Sequence, residues 1–362
     1  MDQKLQDKLN KRIQEGTLRS LSCLDECVDF YSNDYLGFSK SMQIENSEKT
    51  KKGSTGSRLI SGTSIEALNT ETFLAQFFSA DASLVFNSGY DANLGFFSAV
   101  PQKGDTVFYD EFIHASVRDG VRLSFANAFS FKHNNLSDLE SKLEKTEGVK
   151  YVVIESLYSM DGDFSPLEEI ANLCCKFNTY LIVDEAHSCG VFGINGKGIV
   201  SDLKLEKKVF ARIVTFGKAY GVHGACVLGE FDLINYLINF SRSFIYTTAL
   251  PPSTYSDISL HVGSVLIEEN RLQLERNISY FRKSLGIIKT ISDLKSPIQL
   301  IKIGDIKQTH ELAHLLQENK LAVKPIYSPT VPVGNEGVRI CLHSFNTSEQ
   351  IDLLVQIISK IQ

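Results

Sequence analysis

Ile213-Val-Thr-Phe-Gly-Lys-Ala-Tyr-Gly-Val-His-Gly-Ala-Cys-Val-Leu-Gly229 decides how this chain is read. Two apolar runs, Ile213–Val214 and Ala225–Leu228, flank a connection that holds Lys218 among glycines. The runs predict two buried strands, so the lysine sits in a tight turn between them. A solvated lysine gains nothing there. An amine whose proton must leave before it attacks a carbonyl gains a great deal. The neighbouring glycines are expected to leave room beside the amine.

The chain upstream alternates strand and helix. Helical spacing covers 65–78, 91–100, 114–123, 136–143 and 167–177, and short apolar strands fall at 83–86, 106–109, 129–131, 151–155 and 180–183. Alternation of this length predicts a mainly parallel sheet with helices on both faces. Ligands of such sheets gather at the carboxyl ends of the strands. Upstream lie an amphipathic helix (1–13), a strand near Val28–Phe30, the turn-rich Ser32-Asn-Asp-Tyr-Leu-Gly37 and a Gly/Ser/Thr loop at 53–63. Pro251-Pro252 is the strongest boundary signal. Beyond it come one long helix, 256–285, then strand, helix (310–319), two strands and a last helix (350–361). The expected division is an N-terminal arm, 1–50, a large domain, 51–250, and a smaller α/β domain, 251–362.

The polar residues after the strands are suggestive as a set. Gly89 and Tyr90 open a helix, whose first-turn amides favour an anion. His114 opens the next, and Ser159 follows a later strand. Asp184 ends an apolar run and precedes His187, and Lys218 comes one strand-helix-strand unit later. Taken singly, each fits an ordinary capping or packing role. Together they supply what pyridoxal phosphate requires: an amine, a carboxylate for the ring nitrogen, an anion cup and a ring to stack. No dinucleotide fingerprint or Walker motif is present. Asp184 and His187 alone are too few ligands for zinc, so no metal is expected.

Composition narrows the class. The net charge of -6 argues against nucleic acid as a partner, and no apolar run is long enough to span a bilayer. The 7 cysteines include no Cys-x-x-Cys pair, which fits a reducing, cytoplasmic setting. Cys174 and Cys175 fall in a helical pattern and are expected to be buried.

Motifs along nearly the whole chain resemble the α-oxoamine synthases, a family of fold-type I pyridoxal-phosphate enzymes. They are Ser32–Gly37, Gly56-Ser-Arg58, Asn87–Asn93, His114-Ala-Ser116, Ser159-Met-Asp-Gly-Asp163, Val183-Asp-Glu-Ala-His187, Thr215-Phe-Gly-Lys218, Ile245-Tyr-Thr-Thr248 and Pro329-Thr-Val-Pro332. The resemblance implies the aspartate aminotransferase-like fold and pyridoxal 5'-phosphate as cofactor. It implies that Lys218 binds the cofactor covalently and removes the α-proton, with Asp184 on the ring nitrogen and His114 on the ring face. His187 would lie near the phenolic oxygen, Gly89 and Tyr90 at the phosphate or ring pocket, and Ser159 and Thr215 would hydrogen-bond the cofactor. Arg339 would grip the amino-acid carboxylate and Arg19 would lie near the acyl substrate. In a homodimer, Thr247 and Thr248 would reach the neighbour's phosphate. The implied reaction joins an amino acid, L-alanine for preference, to an acyl thioester of pimeloyl type on CoA or an acyl carrier protein, with loss of carbon dioxide. Another family member using glycine or serine, or a non-catalytic relative, are the alternatives. Cys341 and His343 stand where small hydroxyl residues are typical, and would either reshape the acyl pocket or pack.

Overall fold

Strands in the computed structural model are, in chain order, β1 (Val28–Asp29), β2 (Ala82–Phe86), β3 (Thr106–Asp110), β4 (Asn127–Phe131), β5 (Lys150–Glu155), β6 (Tyr180–Asp184), β7 (Ala211–Thr215), β8 (Ala225–Gly229), β9 (Ile298–Lys302), β10 (Leu321–Ala322), β11 (Lys324–Ile326) and β12 (Gly337–Cys341). The structure describes residues 2–19, 21, 23–24, 26–41, 51–288, 290–328 and 330–360. Met1, Pro329, Ile361 and the expected end of the arm at residue 50 lie outside them.

The larger of two compact units comprises Asn33–Ser159 and Phe164–Arg271. Its sheet has 7 strands in the order β2-β8-β7-β6-β5-β3-β4. All neighbours are parallel except those of β8, which runs antiparallel to both β2 and β7. That exception follows from the short connection around Lys218, because strands joined tightly must pair antiparallel. The other pairs are linked through helices, among them Ala115–Leu123, Leu136–Glu144 and Leu167–Lys176. Both faces of the sheet are covered. Val153, Ile182, Ile213 and Val227 pack into one core with Phe96 and Phe97, while Val152, Ile154, Leu181 and Val183 pack into the other with Ile170. Alternate residues therefore serve opposite cores, which is why these strands read as unbroken apolar runs.

The smaller unit comprises Met1–Ser32, Met160–Asp163 and Leu272–Gln362. It contains the antiparallel sheet β11-β12-β9 and the short parallel pair β1-β10. The units divide after Arg271, whereas the double proline predicts a break near residue 250. The segment between stays in the larger unit because Tyr255 and Ile258 are buried. Thr70 Oγ1 donates to the Tyr255 carbonyl (2.8 Å), and Arg58, paired with Glu71 at 2.8 and 2.9 Å, also reaches the Tyr255 hydroxyl (3.3 Å).

Several local expectations change. The long helix is two, Pro252–Val262 and Ile267–Leu285. Gly263 ends the first, and Ser264 Oγ accepts the Leu266 amide to start the second. Part of the Gly/Ser/Thr loop winds into a π-helical turn, Arg58–Gly62. Cys174 is buried but Cys175 is exposed. His343 packs: it is fully buried, its amide donates to Asn346 Oδ1 (2.8 Å), and its ring stacks on Phe345.

The glycines beside Lys218 serve the backbone more than they clear space. A Cβ on Gly217 would meet nothing closer than 3.9 Å, so that position has room. Gly221, by contrast, has φ +62°, and a Cβ there would lie 2.3 Å from the Ser39 amide nitrogen. Its own amide closes the turn on the Lys218 carbonyl (2.9 Å). Gly221→Ala is expected to lower unfolding free energy by about 2 kcal/mol or more, and Gly217→Ala by less than about 0.5 kcal/mol. Urea unfolding of both variants checks this; equal effects would show that the turn does not need glycine at 221.

Candidate active site

The carboxyl ends of β5, β6 and β7 carry Glu155, Asp184 and Thr215, so three strand ends deliver polar groups to one place. A cavity of about 180 Å³ opens there, lined by Gly89, Tyr90, Asn93, His114, Ser116, Glu155, Asp184, Ala186, His187, Ile213, Thr215 and Lys218. The structure thus brings together Gly89, Tyr90, His114, Asp184, His187, Thr215 and Lys218 from the set read in the sequence.

Lys218 is half-buried, and its Nζ lies 2.7 Å from His187 Nε2. Asp184 is 4% exposed and accepts from Asn93 Nδ2 (2.9 Å) and from the Ala186 amide (2.9 Å). Each of its two oxygens therefore accepts one N–H. His114 caps its helix: the Ser116 amide donates to its Nδ1 (3.2 Å), and Ser116 Oγ lies 2.7 Å from the same atom. Desolvation by the walls around the ring pushes the His114 pKa down against the pull of Asp184, and Lys218 and Arg118 add to the fall. The imidazole is therefore neutral at physiological pH.

Gly89–Ala99 is a helix capped by Ser88, which accepts the Asp91 amide. The Gly89 and Tyr90 amides have no partner within a helix by construction, and both residues line the cavity. Tyr90 hydrogen-bonds Asp119 and meets the His114 ring edge-on at 6.4 Å. Thr215 Oγ1 donates to the Gly224 carbonyl (3.3 Å).

Other expected residues lie elsewhere. Ser159 does not line the cavity; its backbone amide faces the Glu155 carboxyl. Thr247 Oγ1 and the Thr248 carbonyl both accept from Asn87 Nδ2, at 3.2 and 2.9 Å. Arg339, in the smaller unit, is buried on β12, with Nη1 2.9 Å from Cys341 Sγ. Arg19 is exposed in the same unit.

The residues fit pyridoxal phosphate. An amine, a buried carboxylate with an N–H on each oxygen, a neutral imidazole and a helix N-terminus share one cavity. Two buried wall atoms, Asn93 Oδ1 and Glu155 Oε1, have no hydrogen-bond partner within the protein. Among the described residues, no group of three or more His, Cys, Asp or Glu is placed to hold a metal ion.

A family model for aminotransferase class I and II matches residues 25–358. The chain belongs to this family. The 8-amino-7-oxononanoate synthase of Emericella nidulans is 38% identical to it, over 98% of this chain and 94% of its own. The protein of that name from Lysinibacillus sphaericus is 35% identical, over 92% and 88%. The crystal structure of 8-amino-7-oxononanoate synthase from Francisella tularensis superposes with a TM-score of 0.79 at 32% identity, covering 93% of this chain and 98% of that one. Serine palmitoyltransferase from S. paucimobilis, solved with bound PLP-myriocin, gives 0.89 at 27% identity, covering 99% and 96%. The chain is accordingly an α-oxoamine synthase, a pyridoxal-phosphate-dependent acyltransferase with the aspartate aminotransferase-like fold.

Four residues of the site carry no assignment from the sequence: Asn93, Ser116, Glu155 and Tyr35. Asn93 is one turn beyond Gly89 on the same helix face, a spacing that was legible. Glu155 ends an apolar strand just as Asp184 does. Tyr35, fully buried, has its hydroxyl 2.7 Å from His187 Nδ1, and nothing local signals that contact.

Burial and the nearby Asp184 push the Glu155 pKa up to about 8, despite Lys218 and the backbone amides of His114 and Ser159. Below about 4.5, the ordinary value, folded and unfolded states are both protonated and nothing is lost. As pH rises from there, unfolding releases a proton, and stability falls steadily until about pH 8. Glu155→Gln is expected to remove this slope. Its stability relative to wild type, from urea unfolding of cofactor-free protein, should climb between pH 5 and pH 8; a constant difference would show that Glu155 is ionised in the fold.

Proposed function

We propose that this enzyme condenses L-alanine with a pimeloyl thioester, with loss of carbon dioxide, to give 8-amino-7-oxononanoate for biotin biosynthesis. The observation that carries the reading is the Lys218 amine held 2.7 Å from His187 in the cavity that Asp184 lines. It stands on a chain 38% identical, over 98% of its length, to a protein of that name. When bound, pyridoxal phosphate supplies a conjugated ring that draws off the negative charge left at the α-carbon.

The protein's own groups do the rest. Lys218 would hold the cofactor and take the α-proton at Nζ. Asp184, which accepts from Asn93 and the Ala186 amide, would hold the ring nitrogen protonated. His114 would lie on the ring face, and its neutral state avoids adding a second cation beside Lys218. His187 would face the phenolic oxygen, the Gly89 and Tyr90 amides would take the phosphate, and Ser159 and Thr215 would add hydrogen bonds. Arg339 binds the alanine carboxylate and Arg19 the acyl substrate. The active form is a cytoplasmic homodimer in which Thr247 and Thr248 reach the neighbour's phosphate. The thioester arrives on CoA or an acyl carrier protein, and its thiol leaves as the new carbon–carbon bond forms. Among the described residues, no helix is long and apolar enough to cross a membrane.

A second reading, a family member using serine or glycine with another acyl thioester, draws support from the likeness to serine palmitoyltransferase. The two separate by turnover. Thiol release from pimeloyl-CoA should be faster with alanine than with glycine or serine by about tenfold or more. Faster release with serine and a long-chain acyl-CoA would instead favour the second reading. Lys218→Ala should lose the borohydride-reducible link to the cofactor and all thiol release.

A further inference from the structure

His261 is buried, 3% exposed, and has no part in the chemistry above. It sits near the end of the helix Pro252–Val262. Its Nδ1 lies 2.6 Å from the carbonyl oxygen of Tyr220, two residues beyond Lys218. The Nε2 nitrogen is buried and has no hydrogen-bond partner among the described residues. The ring meets Phe38 edge-on at 6.0 Å. The helix that carries it is tied down, since Thr70 Oγ1 lies 2.8 Å from both the Tyr255 carbonyl and Ser259 Oγ. His261, Phe38, Lys218 and Tyr220 all belong to the larger unit.

The contact itself places a proton on the ring. A carbonyl oxygen only accepts, so Nδ1 carries a hydrogen. Turning the ring over would put a C–H there instead, and such contacts are longer, about 3.3 Å or more between carbon and oxygen. The donor therefore points at Tyr220 whether or not Nε2 is also protonated. An apolar side chain would fill the same space without leaving Nε2 unsatisfied, so the bond to Tyr220 is what the polarity of His261 supplies.

That carbonyl belongs to the peptide unit between Tyr220 and Gly221, and the amide end of the unit is held as well. The Gly221 N–H donates to the Lys218 carbonyl at 2.9 Å. The two ends of a peptide unit point opposite ways, so one bond on each fixes its plane. Glycine alone does not fix it. Gly221 has φ +62°, and glycine adopts positive and negative φ with similar ease, so its own side-chain sterics set no preference. Rotation of the peptide would take the amide off Lys218 and the carbonyl off His261 together. The Tyr220 side chain, fully buried with its hydroxyl donating to the Gly196 carbonyl at 3.0 Å, anchors the ring and not the peptide.

We propose that His261 is a positioning residue: its Nδ1–H holds the Tyr220–Gly221 peptide in the orientation that closes the turn on the Lys218 carbonyl, and so fixes the backbone from which the Lys218 amine reaches into the cavity. This rests on the reading of Lys218 as the cofactor's attachment point. His261 does not line the cavity; it acts through the peptide.

The test compares His261→Asn, whose side-chain amide places an N–H near the position of Nδ1, with His261→Leu, which has no donor. Hydrogen exchange of the Gly221 amide in cofactor-free protein is read against amides of β7 and β8, which report opening of the sheet. In His261→Leu the Gly221 amide is expected to exchange about tenfold faster or more, while those of β7 and β8 keep their wild-type rates. Formation of the borohydride-reducible link with pyridoxal phosphate should slow by about tenfold or more in that variant, and His261→Asn should recover most of both effects. Unchanged Gly221 exchange or unchanged link formation in His261→Leu overturns the proposal. So does an Asn variant no better than Leu, or equal acceleration in β7 and β8, which would make His261 a residue of general stability. Should His261→Leu not fold, wild type labelled with 15N-histidine decides, with His261→Asn to assign the resonance. A hydrogen on Nδ1 that exchanges slowly with water is expected, and a ring protonated at Nε2 alone overturns the proposal. If wild type forms no reducible link, the assignment of Lys218 falls instead, and Gly221 exchange still decides whether His261 holds the turn.

Discussion

Glu155 and Asp184 stand opposite each other at the ends of β5 and β6, in register on parallel strands. Two carboxylates so placed, 3% and 4% exposed, cannot both be ionised at moderate cost. The protein resolves the conflict by unequal donors. Asp184 receives a side-chain amide and a backbone amide on its two oxygens. Glu155 keeps one oxygen without a partner and is pushed towards its neutral form. Glu155 is thus held back from ionising beside Asp184, and the neutral His114 keeps Lys218 from facing a second cation. Charge at the site is set by which groups are forbidden to ionise.

Holding Asp184 in that position requires the residue after it to be fixed as well. Glu185 points away from the cavity, into the scaffold, where it is fully buried and accepts from Arg212 Nε at 2.7 Å. Its other oxygen takes the Val200 amide (3.0 Å) and the Ser188 hydroxyl (3.1 Å). Arg212 in turn donates to the Phe78 and Lys197 carbonyls. Such a buried pair adds little net stability compared with an apolar core, but removing one partner strands the other charge. Its effect is to pin the loop that follows β6, which carries His187. The strand's period of two thus divides labour between adjacent residues: Asp184 for the site, Glu185 for the frame.

The fold was legible because its strands are buried on both faces and so read as continuous apolar runs. Lys218, Asp184 and His187 stood out in the sequence only as a set following successive strands, and the structure places all three on one cavity. What escaped depended on contacts far apart in the chain. Tyr35 reaches His187 across 152 positions, and Asn93 reaches Asp184 across 91. The break at Gly263 escaped for another reason, since helical periodicity continues through it and only the local preferences of glycine and serine interrupt it. Gly217 and Gly221 look alike in sequence, yet only Gly221 carries a backbone that other residues resist.

Glu155 and Asp184 show where the limit lies. Both close a buried strand, both follow an apolar residue, and both face the same cavity. The local sequence around the two is alike, but their hydrogen-bond partners differ. The difference comes from Asn93, on a helix that begins after a different strand, and from the turn that brings the Ala186 amide back onto Asp184. Burial and the neighbouring Asp184 raise the proton affinity of Glu155, one of whose oxygens has no donor. Function at this site is therefore a property of the donor arrangement around each acid rather than of the acids themselves, and that arrangement exists only once the helices have docked on the sheet.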